Sequence, residues 1–182
     1  TWMTDVGEHR TIALEDGSKV VLGGASRLEV KYTDHARSLE LQRGEALFTV
    51  APDTARPFRV LAGKTSVLAV GTEFNVRRGS NRVVVAVTQG RVLVEPEPHA
   101  APLPLNAGQQ TTVDAQGAGS ALPLNDPAAA TSWQIGRLAF RLQPLAYVLE
   151  DVNRYAKKPV VLEDKVIGDL LITGTVDARN IE

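Results

Sequence analysis

The sequence predicts a mainly β protein: repeated, glycine-punctuated strands forming a β-solenoid-like roll or a two-layer sandwich, followed by a small, incomplete βαββ subdomain. Three observations carry this. From Thr11 to Asp114 short runs rich in Val and Leu alternate with polar residues and stop at glycine, the pattern of half-buried strands joined by turns. The glycines themselves recur at a nearly fixed interval. After Trp133 the apolar spacing changes from two to three and four, the period of a helix. The chain divides accordingly into a β-domain over residues 1–113, a linker over 114–131 and a partial C-terminal subdomain over 132–182.

The strand-like runs are Thr11–Leu14, Lys19–Leu22, Arg27–Tyr32, Ser38–Leu41, Ala46–Val50, Phe58–Leu61, Ser66–Val70, Glu73–Arg77, Arg82–Val87, Arg91–Glu95 and Gln110–Val113. Nearly all are too short for an ordinary helix. Turns are expected at Gly17, Gly44, Gly63, Gly90 and Gly108, each at a positive φ that a Cβ would strain. Gly17 and Gly63 stand 46 residues apart, as do Gly44 and Gly90, and Gly108 follows Gly63 by 45. Laid over each other without a gap, Leu14–Val50 and Val60–Pro96 place Val21 on Val67, Ser26 on Thr72, Leu28 on Phe74, Leu41 on Val87 and Leu47 on Leu93. This reads as two copies of a four-strand unit, with the start of a third at Gly108.

Pro96, Pro98, Pro102 and Pro104 then suit a projecting hairpin loop and not a strand interior. Asp114–Thr131, rich in small residues and proline, has linker composition. Beyond it, Gly136–Arg141 alternates as a strand. Pro144 stands at a favoured first helical position, and Leu145, Val148, Leu149, Val152 and Tyr155 predict an amphipathic helix over Pro144–Lys157, with Lys157 and Lys158 at its negative end and Pro159 stopping it. Val160–Leu162 and Leu170–Val176 are expected strands, and Asp177–Glu182 the first turn of another helix. One short helix cannot cover both faces of such a sheet, so the piece is completed by further sequence or docks on the β-domain.

Composition narrows the function. Of 182 residues, 20 are Lys or Arg and 21 Asp or Glu, a net charge of −1 with no basic stripe, which argues against a nucleic-acid partner. A 43% hydrophobic content spread along the chain supports a core and excludes bulk disorder. The absence of cysteine excludes a disulfide scaffold and thiol chemistry. No apolar run approaches the roughly 20 residues of a membrane span, and the first residues lack the features of a signal peptide, as expected of a cytoplasmic protein or a piece cut from a longer one.

Chemical motifs are mostly absent. Gly63-Lys64-Thr65 ends like a phosphate loop, but position 58, where that loop needs glycine, is Phe. There is no Gly-x-Ser-x-Gly elbow, and His9, His35 and His99 lie far apart without a second ligand at metal-binding spacing, so neither a metal nor a cofactor is expected. Glu150-Asp151 and Glu163-Asp164 read as solvated pairs. The reading is of a protein that binds and does not catalyse.

One series of segments carries a resemblance across nearly the whole chain: Gly7-Glu8-His9-Arg10, Leu14-Glu15-Asp16-Gly17-Ser18, Leu41-Gln42-Arg43-Gly44-Glu45, Arg56-Pro57-Phe58, Val70-Gly71-Thr72-Glu73-Phe74, Val87-Thr88-Gln89-Gly90, Leu105-Asn106-Ala107-Gly108 and Trp133-Gln134-Ile135-Gly136-Arg137-Leu138. In this order they resemble the periplasmic region of FecR-like sigma-factor regulators. One departure is Gly23, where the family usually has Asn. The resemblance implies a periplasmic domain of a single-pass inner-membrane anti-sigma factor. A cytoplasmic segment would bind an extracytoplasmic-function sigma factor, and the C-terminus would be a small domain similar to the short N-terminal domain of secretins and TonB-linked receptors. The implied partners are the signalling domain of a TonB-dependent outer-membrane receptor of iron or siderophore uptake, and periplasmic proteases. Leu170, Leu171, Ile172 and Thr173, an apolar strand in an incomplete sheet, are expected to supply or border the edge that pairs with the receptor. Some members of the family are thought to cleave themselves at a Gly-Thr bond, which directs attention to Gly71 and Thr72, where glycine permits strain and threonine brings a nucleophile. The competing reading is a cell-envelope module that binds glycan or protein without a sigma factor.

Overall fold

The computed structural model describes residues 1–181. Its strands are β1 (Trp2–Met3), β2 (Arg10–Ala13), β3 (Lys19–Leu22), β4 (Arg27–Tyr32), β5 (Arg37–Thr49), β6 (Phe58–Ala62), β7 (Thr65–Ala69), β8 (Glu73–Arg78), β9 (Val83–Gln89), β10 (Arg91–Glu95), β11 (Leu103–Asn106), β12 (Gln109–Asp114), β13 (Gly117–Ala118), β14 (Leu122–Pro123), β15 (Arg137–Pro144) and β16 (Leu171–Asp177), with one α-helix, α1 (Leu145–Val152). Two layers form. The first runs β1-β4-β5-β6-β7-β10-β11, and the second runs β2-β3-β5-β8-β9-β12 with β13 and β14 added to β12. Strand β5 belongs to both: Arg37–Glu40 pairs with β6 in the first layer, and Gly44–Thr49 with β8 in the second. Between the layers lie Leu22, Leu28, Leu39, Leu41, Phe48, Phe58 and Phe74, all essentially inaccessible, with the Phe48 and Phe74 rings stacked at 5.2 Å.

The repeat is real, and it decides between the two expected architectures. Leu28 faces Leu41 across β4 and β5, and Phe74 faces Val87 across β8 and β9, with a bulge at the matching step in each pair, between Arg27 and Leu28 and between Glu73 and Phe74. Yet the copies occupy opposite layers: β4 lies in the first and β8 in the second, while β3 lies in the second and β7 in the first. Copies that exchange layers cannot stack as a solenoid. They build a two-layer sandwich with an approximate two-fold relation.

Two expectations need correction here. Gly44 and Gly90 are not at hairpin turns; they stand where the chain crosses from one layer to the other, Gly44 inside β5 and Gly90 between β9 and β10. Their φ values are +90° and +78°, and a methyl on Gly44 would overlap the Ser26 side chain, while one on Gly90 would lie 2.7 Å from Thr72 Cγ2. The chain must pass the same hydroxyl residue closely in each copy, and only glycine allows both the approach and the angle. Second, the ungapped overlay slips by one residue at β3 and β7. Val20 pairs with Phe48 and Val67 with Val94, so Val67 corresponds to Val20, and Val21 faces outward. Gly17, Gly63 and Gly108 do occupy turns with positive φ.

Arg37 shows how a charge can be core. Its side chain is fully buried, donates to the Asp16 carboxylate at 2.7 Å and to the carbonyls of Ala51, Asp53 and Arg56, and lies 5.3 Å from the Phe58 ring centre. Burial pushes the Asp16 carboxyl up, but hydrogen bonds from Ser18 and Arg37 win and hold it below its usual range. The pair orders the irregular segment between β5 and β6.

Residues 114–131 double back on β12 through β13 and β14, and a 3-10 segment, Pro127–Ile135, leads into the C-terminal unit, capped by Asp126. There the helix is shorter than predicted. Pro144 is its N-cap, and α1 ends at Val152 because Arg154, Tyr155 and Ala156 are buried and the chain turns to seat them. Val160–Leu162 forms no strand. The Asn153 side chain clamps Val160 instead, donating to its carbonyl and accepting from its N–H, which satisfies the groups a ladder would have used. The unit is thus β15-α1-β16 with a 3-10 turn, Lys165–Asp169, in between. Asp177 caps a last 3-10 turn, Ala178–Asn180; Glu182 lies outside the described residues.

Candidate functional site: a charged seam and two open strand edges

The C-terminal unit is docked, as its uncovered sheet requires. Trp133, Leu138, Phe140, Val148, Val152, Tyr155 and Ala178 form a second hydrophobic cluster with Leu47 of β5, and Val21 of β3 packs against it. Glycine makes the approach possible here too: a Cβ on Gly24 would lie 2.6 Å from the Arg154 carbonyl oxygen. The His9 ring meets the edges of Trp133 and Tyr155, with ring centres at 5.4 and 5.7 Å. Burial lowers the His9 pKa below its ordinary value, against the opposing pull of Glu45.

Beside this cluster runs a seam of buried charge. Arg154 donates to Glu45 at 2.6 Å and approaches Asp151 at 3.5 Å; Asp151 also holds Arg77 at 2.9 Å and Arg82 at 3.2 Å. Asn75 ties the second layer to the C-terminal unit, donating to Glu45 and accepting from the Trp133 indole N–H. Arg82 lies 4.2 Å over the Tyr147 ring. Burial works against the Arg154 charge, but Glu45 and Asp151 hold its pKa above the ordinary value. For Arg82, burial and neighbouring Arg77 prevail and lower it. Sequence reading took Glu150-Asp151 for a solvated pair; Asp151 is in fact the hub of the seam, and Glu150 accepts from the Ser80 N–H. The only sequence signal for the seam was an excess of arginine on β8 and around it.

The remaining surface of the unit is unusually apolar. Leu142, Val160, Val161, Val166, Ile167, Leu170 and Leu171 are all exposed, Leu170 at 56% and Leu171 at 60%. Of the four expected interface residues, Leu171, Ile172 and Thr173 open β16, and Leu170 immediately precedes it. Ile172 turns inward onto the second cluster, while Thr173 is exposed and accepts from the Leu142 N–H. Among the described residues β16 pairs only with β15, so each strand has one open edge.

Gly71 and Thr72 immediately precede β8, at the layer crossing. Gly71 has φ +64°, and Ala25, its counterpart in the first copy, has φ +51°, so the left-handed turn belongs to the repeat. The two hydroxyls differ. Ser26 Oγ accepts from the Glu45 N–H and donates to the Gly24 carbonyl, whereas Thr72 Oγ1 is buried with no hydrogen-bond partner among the described residues. No cluster of His, Asp or Glu with metal-holding geometry occurs among the described residues.

No curated protein matches the sequence. A crystal structure of a candidate anti-sigma factor from Parabacteroides distasonis ATCC 8503, at 2.50 Å resolution, is 30% identical, with a TM-score of 0.85, covering 97% of this chain and 84% of that one. A second, at 1.65 Å and with the same description, is 27% identical with a TM-score of 0.82 and the same coverage. The family model described as FecR protein matches residues 1–93, the β-sandwich through β9 and most of β10. Conserved architecture through the docked C-terminal unit, together with that match, establishes that the chain belongs to the FecR family.

Proposed function

We propose that this chain is the signal-receiving domain of an anti-sigma factor. It acts in the periplasm as part of a single-pass inner-membrane protein, binds the signalling domain of a TonB-dependent outer-membrane receptor of iron or siderophore uptake, and controls an extracytoplasmic-function sigma factor through a cytoplasmic segment. Periplasmic proteases act on the regulator once the receptor is engaged. The observation that carries the reading is the open edge of β16 among exposed aliphatic residues, the combination that accepts a strand from a partner: backbone bonds supply affinity and alternate side chains specificity. Family membership and the descriptions of the solved relatives support the regulatory role. Pull-down with the receptor signalling domains of the same organism tests it. Thr175→Pro, which deletes an N–H directed away from β15, and Leu171→Arg should each weaken capture about tenfold with circular dichroism unchanged. Full capture by both variants would sink the reading.

A second reading concerns self-cleavage at Gly71-Thr72, favoured by the unpartnered Thr72 hydroxyl. Attack of Oγ1 on the Gly71 carbonyl carbon would form an ester as the peptide C–N bond breaks and the hydroxyl proton passes to the Thr72 amine; water would then open the ester to a Gly71 carboxylate. Mass spectrometry after long incubation decides it, wild type splitting and Thr72→Ala remaining whole; identical intact masses would end the proposal.

A further inference from the structure

The second open edge faces inward. A cleft of about 730 Å³ separates the C-terminal unit from the outer face of the second layer and runs along β15 from Arg137 to Gln143. Its far wall is Val84 and Ala86 of β9 and Gln110 of β12, and the segment around Leu124 closes one end. Residues from both faces of β15 line it, together with Thr173, Gly174 and Thr175 of β16, so the cleft takes in the outer edge of β15 and extends over the hairpin. The hydrogen-bond alternation agrees. The Gly136 carbonyl accepts from the Ala178 N–H, on the β16 side, and the Arg137 carbonyl accepts from the Ser132 hydroxyl, on the opposite side. The next outward pair, the N–H and C=O of Ala139, therefore points into the cleft, and no strand or side chain bonds it among the described residues.

The charges of the cleft are equally one-sided. Its carboxylates are engaged: Glu45 by Arg154 and Asn75, Asp151 by three arginines, and Asp126 by the Ala128 N–H. Asp177, across the ladder from Arg137, is held by Arg179 at 2.7 Å. Arg137 and Arg141, on one face of β15 and flanking Ala139, are exposed and have no carboxylate within ion-pair distance among the described residues. In a chain of net charge −1 this is a local excess of positive charge at an unpaired backbone edge.

We propose that the cleft is a docking groove for an extended acidic segment of a partner protein, which adds to the outer edge of β15 at Ala139 and places carboxylates against Arg137 and Arg141. Edge addition satisfies the free backbone groups, and the two arginines select acidic over neutral strands. The outer edge of β15 is the opposite edge of the hairpin from that of β16, and Leu171 lies outside the cleft, so the proposal stands or falls without the β16 contact. The probe is a blocked synthetic peptide with two glutamates separated by a valine–threonine–valine stretch, followed by amide NMR and hydrogen exchange on the intact chain. The Ala139 amide should shift and its exchange slow with the glutamate peptide, and the glutamine version should bind about tenfold more weakly. Ala139→Pro, tolerated at an outward edge position, should abolish binding with the spectrum otherwise preserved. The double variant Arg137→Glu, Arg141→Glu should reverse the preference toward a lysine peptide. No response at Ala139, equal affinity for the glutamine peptide, or full binding by Ala139→Pro would each overturn the proposal. Loss of binding by Leu171→Arg would overturn it too, since that substitution lies on the other edge.

Discussion

The two outer faces of the sandwich are built from equivalent strands and have opposite fates. The first layer turns Glu29, Lys31, Glu40, Arg59 and Glu95 to water, where Arg59 and Glu95 pair at 3.3 Å with more than a third of each side chain exposed. The second turns out Val21, Glu45, Leu47, Asn75 and Arg77, and the C-terminal unit covers them; Arg154 and Glu45 pair at 2.6 Å, at 10% and 4% exposure. The interior obeys the repeat. The departure from it is the C-terminal unit, because the covered face alone positions β15, β16 and the cleft.

The largest effect should come from the charged seam. Glu45→Ala leaves the Arg154 guanidinium buried with only its longer contact to Asp151, and should cost about 3–5 kcal/mol, read by denaturant unfolding, with buried Trp133 reporting in a Trp2→Phe background. On the open face, Glu95→Gln should cost less than about 1 kcal/mol. Equal losses would erase the distinction between the faces.

Next come the crossing glycines, where the copies should behave alike. Gly44→Ala and Gly90→Ala combine overlap with left-handed strain and should each lose about 3 kcal/mol. A tolerated alanine at either would show that the crossing can relax.

A smaller and more discriminating pair separates the copies. Ser26→Ala removes a hydroxyl that serves the Glu45 N–H and should cost about 1–3 kcal/mol. Thr72→Val removes a hydroxyl with no partner while keeping its shape, and should be neutral or stabilising by about 1 kcal/mol. Thermal unfolding of both variants makes the comparison.

The smallest effect is pH-dependent. Burial against Trp133 and Tyr155 keeps the His9 pKa below its ordinary 6.5, so the unfolded chain takes up a proton first as pH falls. Stability is therefore unaffected well above that value and declines as pH drops through it. Melting temperature followed from about pH 8 to pH 6 should fall in wild type and stay flatter in His9→Gln; parallel curves would remove His9 from the docking seam.

Much of the sandwich was legible because strand patterning is local: inward Leu28, Leu41 and Phe74 alternate with polar neighbours whatever their partners. Local patterning also misled. It took Gly44 for a turn, since a layer crossing and a hairpin both demand a glycine with positive φ, and it took Val160–Leu162 for a strand that the Asn153 side chain pre-empts. The seam was illegible because Asp151 is separated from Arg77 and Arg82 by some seventy positions, and a carboxylate beside a glutamate reads as solvated until its neighbours are known.

By itself the sequence determined the β class, the 46-residue repeat, the family resemblance and the small unit that had to find cover, all of them consequences of residue spacing along the chain. Only the tertiary structure decided that the copies exchange layers, that one outer face becomes an interface, and that two strand edges remain open. Those outcomes depend on which surfaces meet, and the free energy of burying charge and apolar area is set by contacts between residues far apart in sequence.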